Sequence, residues 1–287
     1  MVTYPGADMA RTIVITGGTR GIGLALARAR LRRGEEVVAL ARDPGPGRRL
    51  VEEGDGRAHF IAADLSTVAG TRAAATELTD RHPVIDALVM GAHGLRPGRH
   101  VTAEGLELTF SLYYLSRHVL LHALAGPLTR AERAVTINLS GAGMKAGRIH
   151  WDDPQLTAGY SATKANLQAG RANDLLGVAF AERYPGIRTI AYNPGFVDTR
   201  PYTGMAQPWR ALAEAAAAVV AARPETAAAA LSSLVDEPPA EAFSARARRG
   251  TTNRPIDTTG PTYDPATARR LDAMTRDLLA GLDAVTR

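Results

Sequence analysis

"TIVITGGTRGIGLALARA", residues 12–29, decides how the rest of the chain is read. Its first five residues are all β-branched, the mark of a buried strand. A glycine-rich turn follows, with Gly17, Gly21 and Gly23 spaced Gly-x-x-x-Gly-x-Gly, and then a helical run closed by Gly34. Glycine lets such a turn adopt positive φ and lets backbone N–H groups approach a pyrophosphate. The helix N-terminus adds free N–H donors and the positive end of its dipole. A glycine pattern alone is weak evidence. Its position between the first strand and the first helix makes it strong.

Downstream, short β-branched runs alternate with longer helical segments. "EVVALA" (36–41), "AHFIAADL" (58–65), "VIDALVM" (84–90), "RAVTINLS" (133–140) and "IRTIAYN" (187–193) read as strands. Helices are expected over roughly 67–81, 104–124 and 158–183. Apolar strands separated by helices of this length imply βαβ units and right-handed crossovers. The pattern predicts a Rossmann-type α/β fold, a doubly wound parallel sheet of about seven strands with helices on both faces. No repeat and no Pro/Gly linker interrupts the first 195 residues, so residues 11–287 read as one domain after an N-terminal extension of residues 1–10. Residues 11–199 form the expected core. Residues 200–287 form a substrate lid and C-terminal helices over 223–236 and 265–282.

Composition excludes several classes. The chain has 287 residues, 45% hydrophobic and 22% charged, as in ordinary globular proteins. It has no cysteine, so disulfides, thiolate nucleophiles and thiolate metal sites are absent. No metal is among the expected ligands. The net charge is +5, but the arginines are scattered and no basic run carries interleaved aromatics. No nucleic-acid partner is expected. The N-terminus lacks a signal pattern, and "ALAEAAAAVVAA" (211–222) is too short and Ala-rich to span a bilayer. A cytoplasmic protein without a membrane partner is the expectation.

Two features point to chemistry. Arg42 ends the second strand and Arg20 lies in the glycine turn. Two guanidinium groups there suit a ribose 2′-phosphate and favour NADPH/NADP+ over NADH. Asp43 offsets this in part, and solvated surface arginines are the alternative reading. The second feature is "GYSATKANLQ" (159–168). The chain spends only two lysines, Lys145 and Lys164, yet one follows Tyr160 by four residues. On a helix the two share a face. A nearby ammonium lowers a phenol's pKa from about 10. Lysine can also reach a ribose hydroxyl as a compact donor. An ordinary exposed Tyr–Lys pair is the competing reading.

"TGGTRGIG" (16–23), "ADL" (63–65), "YSATK" (160–164) and "NPGFVDT" (193–199) occur in an order and spacing that resemble the short-chain dehydrogenase/reductase family over about residues 11–200. The C-terminal part more loosely resembles its retinol-dehydrogenase-like and bacterial or fungal oxidoreductase branch. The resemblance implies that Gly17, Thr19, Arg20, Gly21, Ile22, Gly23 and Arg42 bind the cofactor, and that Asp64 and Leu65 contact its adenine. It implies that Gly91 and Ala92 let the cofactor pass close. Pro194, Gly195, Val197 and Thr199 would line the nicotinamide carboxamide. Tyr160 would be the general acid or base, with Lys164 on the nicotinamide ribose. Relatives pair through the two long helices, here 104–124 and 158–183, which implies a homodimer or homotetramer.

Three departures stand out. After the fourth strand the chain reads "MGAHG" (90–94), which places His93 near the expected nicotinamide as a structural or pocket-lining residue. The helix asparagine of the family tetrad is replaced by Tyr113. Ser140 in "INLSGAG" (137–143) is the candidate serine, with Gly141 an equal candidate for the aligned position. The long segment 144–158 before Tyr160 would wrap the substrate mouth, with His150 and Trp151 lining the pocket or packing the insertion. Phe196, Tyr202, Met205 and Trp209 suggest an apolar or aromatic substrate, of secondary-metabolite type. The expected reaction is reduction of a ketone or aldehyde, or its reverse, with Ser140 on the carbonyl and Tyr160 as proton donor. The alternative is an NADP(H)-binding scaffold for non-redox chemistry (cyclase, dehydratase or epimerase) or cofactor sensing.

Overall fold

A computed structural model describes residues 10–94, 96–197 and 222–285. Thr199, expected beside the nicotinamide, and the expected lid residues Tyr202, Met205 and Trp209 lie outside the described residues, as does nearly all of 211–222 and residues 1–9 of the extension. β1 (Thr12–Thr16), β2 (Glu36–Ala41), β3 (Ala58–Ala62), β4 (Ala87–Met90), β5 (Val135–Leu139), β6 (Arg188–Asn193) and β7 (Phe243–Arg249) are parallel. β8 (Thr252–Ile256) pairs antiparallel with β7, and the sheet order is β3-β2-β1-β4-β5-β6-β7-β8. The order reverses beside β1, so a crevice opens at the C-terminal ends of β1 and β4.

Strand periodicity builds the two faces. Val14 and Val38 face one apolar layer with α3 (Val68–Arg81), α5 (Ser116–Ala123), α7 (Ala162–Arg183) and α9 (Pro265–Val285). Ile13, Ile15 and Val37 face the other, with α1 (Gly21–Leu31) and α8 (Pro224–Asp236). Three elements escape sequence patterning. α2 (Pro44–Glu53) is rich in Pro and Gly but is capped by Asp43, whose carboxylate accepts from Gly45 N at 3.0 Å. β7 alternates arginine with alanine, β8 (TNRPI) holds one arginine and a proline at the sheet edge, and neither carries an apolar run.

The helix expected from 104 begins as α4 at Leu108 (Leu108–Phe110), because buried Glu107 caps it, accepting from Thr109 N and Phe110 N at 2.9 and 2.7 Å. It then widens into a π-helical turn, Ser111–Leu115, before α5. α6 (Ala125–Thr129) follows α5.

α9 packs on α7 and buries Ala268, Leu271 and Leu279. Tyr114 and Thr275 share a 2.6 Å hydroxyl hydrogen bond, Arg269 pairs with Glu182 at 2.8 Å, and Arg72 pairs with Asp283. The chain's own last helix thus lies over the helices expected to mediate dimerisation. No described helix is long and apolar enough to cross a membrane.

Candidate active site

The glycine turn is built by close approach. A Cβ on Gly23 would lie 2.3 Å from Gly17 O, and one on Gly17 would lie 3.1 Å from Ala92 N, with Gly17 at φ 72°. The hydroxyl of Thr16 accepts from the N–H groups of both Gly91 and Ala92 at 3.1 Å, tying the end of β4 to the turn. Arg20, in extended conformation before α1, gives no side-chain cap, and the first turn holds no acidic residue. Uncapped N–H donors over a bare glycine cradle fit a pyrophosphate. Gly21 has φ 50°, Thr19 is buried, and Ile22 packs into the apolar layer beneath.

The remaining cofactor candidates lie past successive strand ends along the same sheet edge. Arg42 is exposed just beyond β2. Arg20 pairs with Asp43 at 3.2 Å, with side chains 76% and 53% exposed. Such an exposed pair is weak and breaks readily. Past β3, Asp64 accepts from Ser66 N at 3.0 Å and Ser66 Oγ at 2.6 Å. Burial raises the Asp64 carboxyl, but those bonds and the charges of Arg42 and Arg96 outweigh it, leaving the pKa low. Leu65 is buried in the core. Past β6, Arg248 Nε donates to Pro194 O at 2.6 Å, and Gly195 (φ 71°) donates its N–H to Asn193 Oδ1 at 2.9 Å. Val197 forms a bridge with Ala222, while Phe196 stands 68% exposed.

Ser140 sits just past β5. Its N–H donates to Tyr192 O at 2.8 Å, and its buried hydroxyl has no hydrogen-bond partner among the described residues. Tyr160 differs from expectation. α7 starts at Ala162, capped by Ser161, which accepts from Lys164 N at 3.1 Å. Tyr160 therefore precedes the helix, and the shared helical face does not form. Its hydroxyl donates to Glu107 Oε1 at 3.4 Å. Burial first, then the Glu107 charge, push the phenol above its ordinary pKa, opposite to the expected depression. Lys164 Nζ donates instead to Gly159 O at 3.0 Å. No hydrogen bond joins Ser140, Tyr160 and Lys164 to one another.

The floor of the site holds two residues that sequence patterning missed. Arg117, fully buried on α5, donates to Asn138 Oδ1, to Leu139 O at 2.8 Å and to Ala92 O at 3.1 Å. It therefore ties together the ends of β4 and β5. Burial brings it down to about 10, still charged at neutral pH. Its guanidinium carbon lies 4.6 Å from the ring centroid of Tyr113, one turn earlier. An arginine placed among the apolar residues of this helix was its only sequence signal. Asn173 is the second. Its Nδ2 donates to Tyr113 O at 2.7 Å inside the π turn, while Asn138 Nδ2 donates to Asn173 Oδ1 at 2.9 Å. An asparagine of α7 thus holds the kinked backbone where Tyr113 replaces one.

His93 contacts Tyr113 edge-on at 4.4 Å, and its Nε2 hydrogen-bonds Asn166 Oδ1 at 2.9 Å. Burial lowers its pKa, so the ring is neutral at neutral pH. Beside Tyr113, Gly141, Asn166 and Asp174 lies a cavity of about 30 Å³, room for roughly one water. Burial raises Asp174 to about 7 despite Arg171 nearby. His150 lies near enough to Lys164 for that charge, after burial, to lower its pKa. Trp151 instead packs toward α9, with the Arg270 guanidinium 4.0 Å from its ring centroid.

A glycine cradle on the first βα turn of this mainly parallel sheet accords with the family model "short chain dehydrogenase", which matches residues 11–210. The chain belongs to the short chain dehydrogenase family. It is 33% identical over 203 residues to "Putative daunorubicin C-13 ketoreductase DnrU" of Streptomyces sp. (strain C5), a match covering 69% of this chain and 70% of that protein. It is 28% identical over 203 residues to Retinol dehydrogenase 11 of Mus musculus, covering 68% of this chain but 63% of that protein. Its fold is similar to the crystal structure of a short-chain dehydrogenase from Streptomyces avermitilis, with TM-score 0.62, 21% identity and 98% of each chain covered. Short chain dehydrogenases are oxidoreductases that bind nicotinamide cofactors and act on small molecules, and the uncapped α1 cradle fits such a cofactor.

Proposed function

We propose that the chain is an NADPH-dependent reductase of ketones or aldehydes, working in reverse as an alcohol dehydrogenase, on an apolar or aromatic substrate. The observation that carries this reading is one sheet edge holding the uncapped glycine cradle, Arg20 and Arg42 at its adenosine end, and the partnerless Ser140 hydroxyl at the other. The ketoreductase name of the Streptomyces relative supports a ketone substrate. The exposed Phe196 supports an apolar one.

When bound, the cofactor supplies the hydride. Ser140 donates a hydrogen bond to the substrate oxygen as negative charge builds there. Tyr160 exchanges Glu107 for that oxygen and delivers a proton. Lys164, freed from Gly159, would hold the cofactor's ribose and favour the phenolate left behind. Arg117 and Asn173 keep the floor rigid by holding backbone carbonyls. Tyr160 resting on Glu107 favours a second reading, a cofactor-binding scaffold without net redox chemistry.

The test is nicotinamide absorbance with purified protein, both cofactors and a panel of ketones and aldehydes. Oxidation of NADPH in preference to NADH is expected. Arg42→Ala should cut that preference about tenfold or more, the worth of one charge-assisted contact. Cofactor binding with no turnover of any carbonyl would select the second reading. With α9 over α7, a monomer of 30.3 kDa is expected by light scattering, in place of the dimer or tetramer implied by resemblance.

A further inference from the structure

We propose that His118, His122 and Asp272 form a site for one divalent transition-metal ion, of the zinc, cobalt or nickel class, that clips α9 to α5. His118 and His122 are one helical turn apart on α5, and Asp272 comes from α9. His118 Nε2 lies 2.9 Å from Asp272 Oδ1, His122 Nε2 lies 3.6 Å from the same oxygen, and all three donor atoms fall within 4.8 Å of one another.

The His122 contact is the telling one. Its Nε2 is buried and has no hydrogen-bond partner among the described residues, although it lies close to a carboxylate. A separation of 3.6 Å is too long for a hydrogen bond. It is close to the spacing of two ligands on one tetrahedral ion, about 3.4 Å for bonds of about 2.1 Å; the 2.9 Å contact of His118 with the same oxygen is a hydrogen bond, which an ion would replace by opening the pair to that spacing.

The surroundings suit such an ion. Arg276 Nε donates to Asp272 Oδ2 at 3.1 Å, which leaves Oδ1 to face the imidazoles. An outer hydrogen bond of this kind orients a ligating carboxylate. The His122 ring is flanked by Phe180 at 5.6 Å and by the His118 ring at 4.5 Å, so its rotation is confined. His118 is 3% exposed and His122 22%, which leaves an open side for entry and for a water as fourth ligand. Two imidazoles with one carboxylate favour zinc-like ions over calcium or magnesium, which take oxygen ligands. The cluster stands on the helical layer and uses none of the residues assigned to turnover.

Tag-free protein stripped with a chelator would be titrated with Zn²⁺ by calorimetry and melted with and without it. One ion per chain is expected. The melting temperature should rise by about 5–10 °C at a hundredfold excess over Kd. Co²⁺ should give the visible bands of a tetrahedral centre. His122→Gln and, independently, Asp272→Asn should abolish the stoichiometric binding and the thermal shift while the metal-free protein still binds NADPH. Absence of saturable binding to the parent, or binding undiminished in both variants, would overturn the proposal.

Discussion

Arg117→Met is expected to lower the melting temperature by about 10 °C. The guanidinium is fully buried, and it satisfies Asn138 Oδ1, Leu139 O and Ala92 O. Methionine matches much of its length but donates nothing. Three orphaned acceptors cost about 1–3 kcal/mol each. Against this, removing the charge relieves its own desolvation. The fall from 12.5 to about 10 sets that relief on the order of 3 kcal/mol. The orphaned acceptors win by roughly 3 kcal/mol, and each kcal/mol moves the midpoint of a chain this size by about 2–4 °C. Arg117→Lys should fall between, since an ammonium keeps the charge but cannot span three acceptors with a planar fork. Calorimetric melting of the three proteins decides the matter. A methionine variant melting within a degree or two of the parent would mean that the network contributes no net stability. The same substitution should raise the KM for the cofactor, because Ala92 and Leu139 lie at the strand ends that frame the crevice.

Tyr160→Phe is expected to lower kcat/KM for ketone reduction by about 10²–10⁴, the range for losing one general acid. Cofactor affinity, read by NADPH fluorescence, should stay within a factor of two or so (roughly 0.4 kcal/mol). Stability should hardly change, because the hydroxyl's one carboxylate contact is long, at 3.4 Å, and replaceable by water. Loss of turnover without loss of fold or cofactor affinity separates a proton donor from a packing residue. The pH profile gives a second check. With its pKa above the ordinary value, Tyr160 stays protonated through neutral pH. Reduction read as kcat/KM, which reports the free enzyme, should therefore be flat there, while the reverse oxidation, which needs the phenolate, should rise with pH. If the phenylalanine variant turns over normally, the proton comes from elsewhere, and His93 and Tyr113 become the groups to replace.

The first six strands and the glycine turn were legible because each is written within a few consecutive residues. "TIVIT" can hardly be anything but a buried strand, and Gly23 must be glycine wherever the chain folds back on Gly17 O. α2 was hidden because its glycines oppose helix formation locally. Gly47 is needed there for contact, since a Cβ would lie 2.4 Å from the Phe60 ring. The Tyr160–Lys164 spacing was read as a helical face, but Ser161 caps the helix one residue too late for Tyr160 to join it. No local pattern separates a tyrosine just inside a helix from one just outside when the capping residue stands between.

The sequence by itself determined the first six strands and the long helices between them, the glycine cradle and the resemblance to the family, all properties of short runs and their spacing. Only the tertiary structure decided that Glu107 holds the Tyr160 hydroxyl, that Arg117 closes the floor between two strand ends, and that α9 covers α7 and brings Asp272 to His118 and His122. Each of these pairings joins distant parts of the chain. Their partners are selected by burial and by the need to satisfy polar atoms in the folded interior, and neither condition exists until the sheet and its helices have assembled.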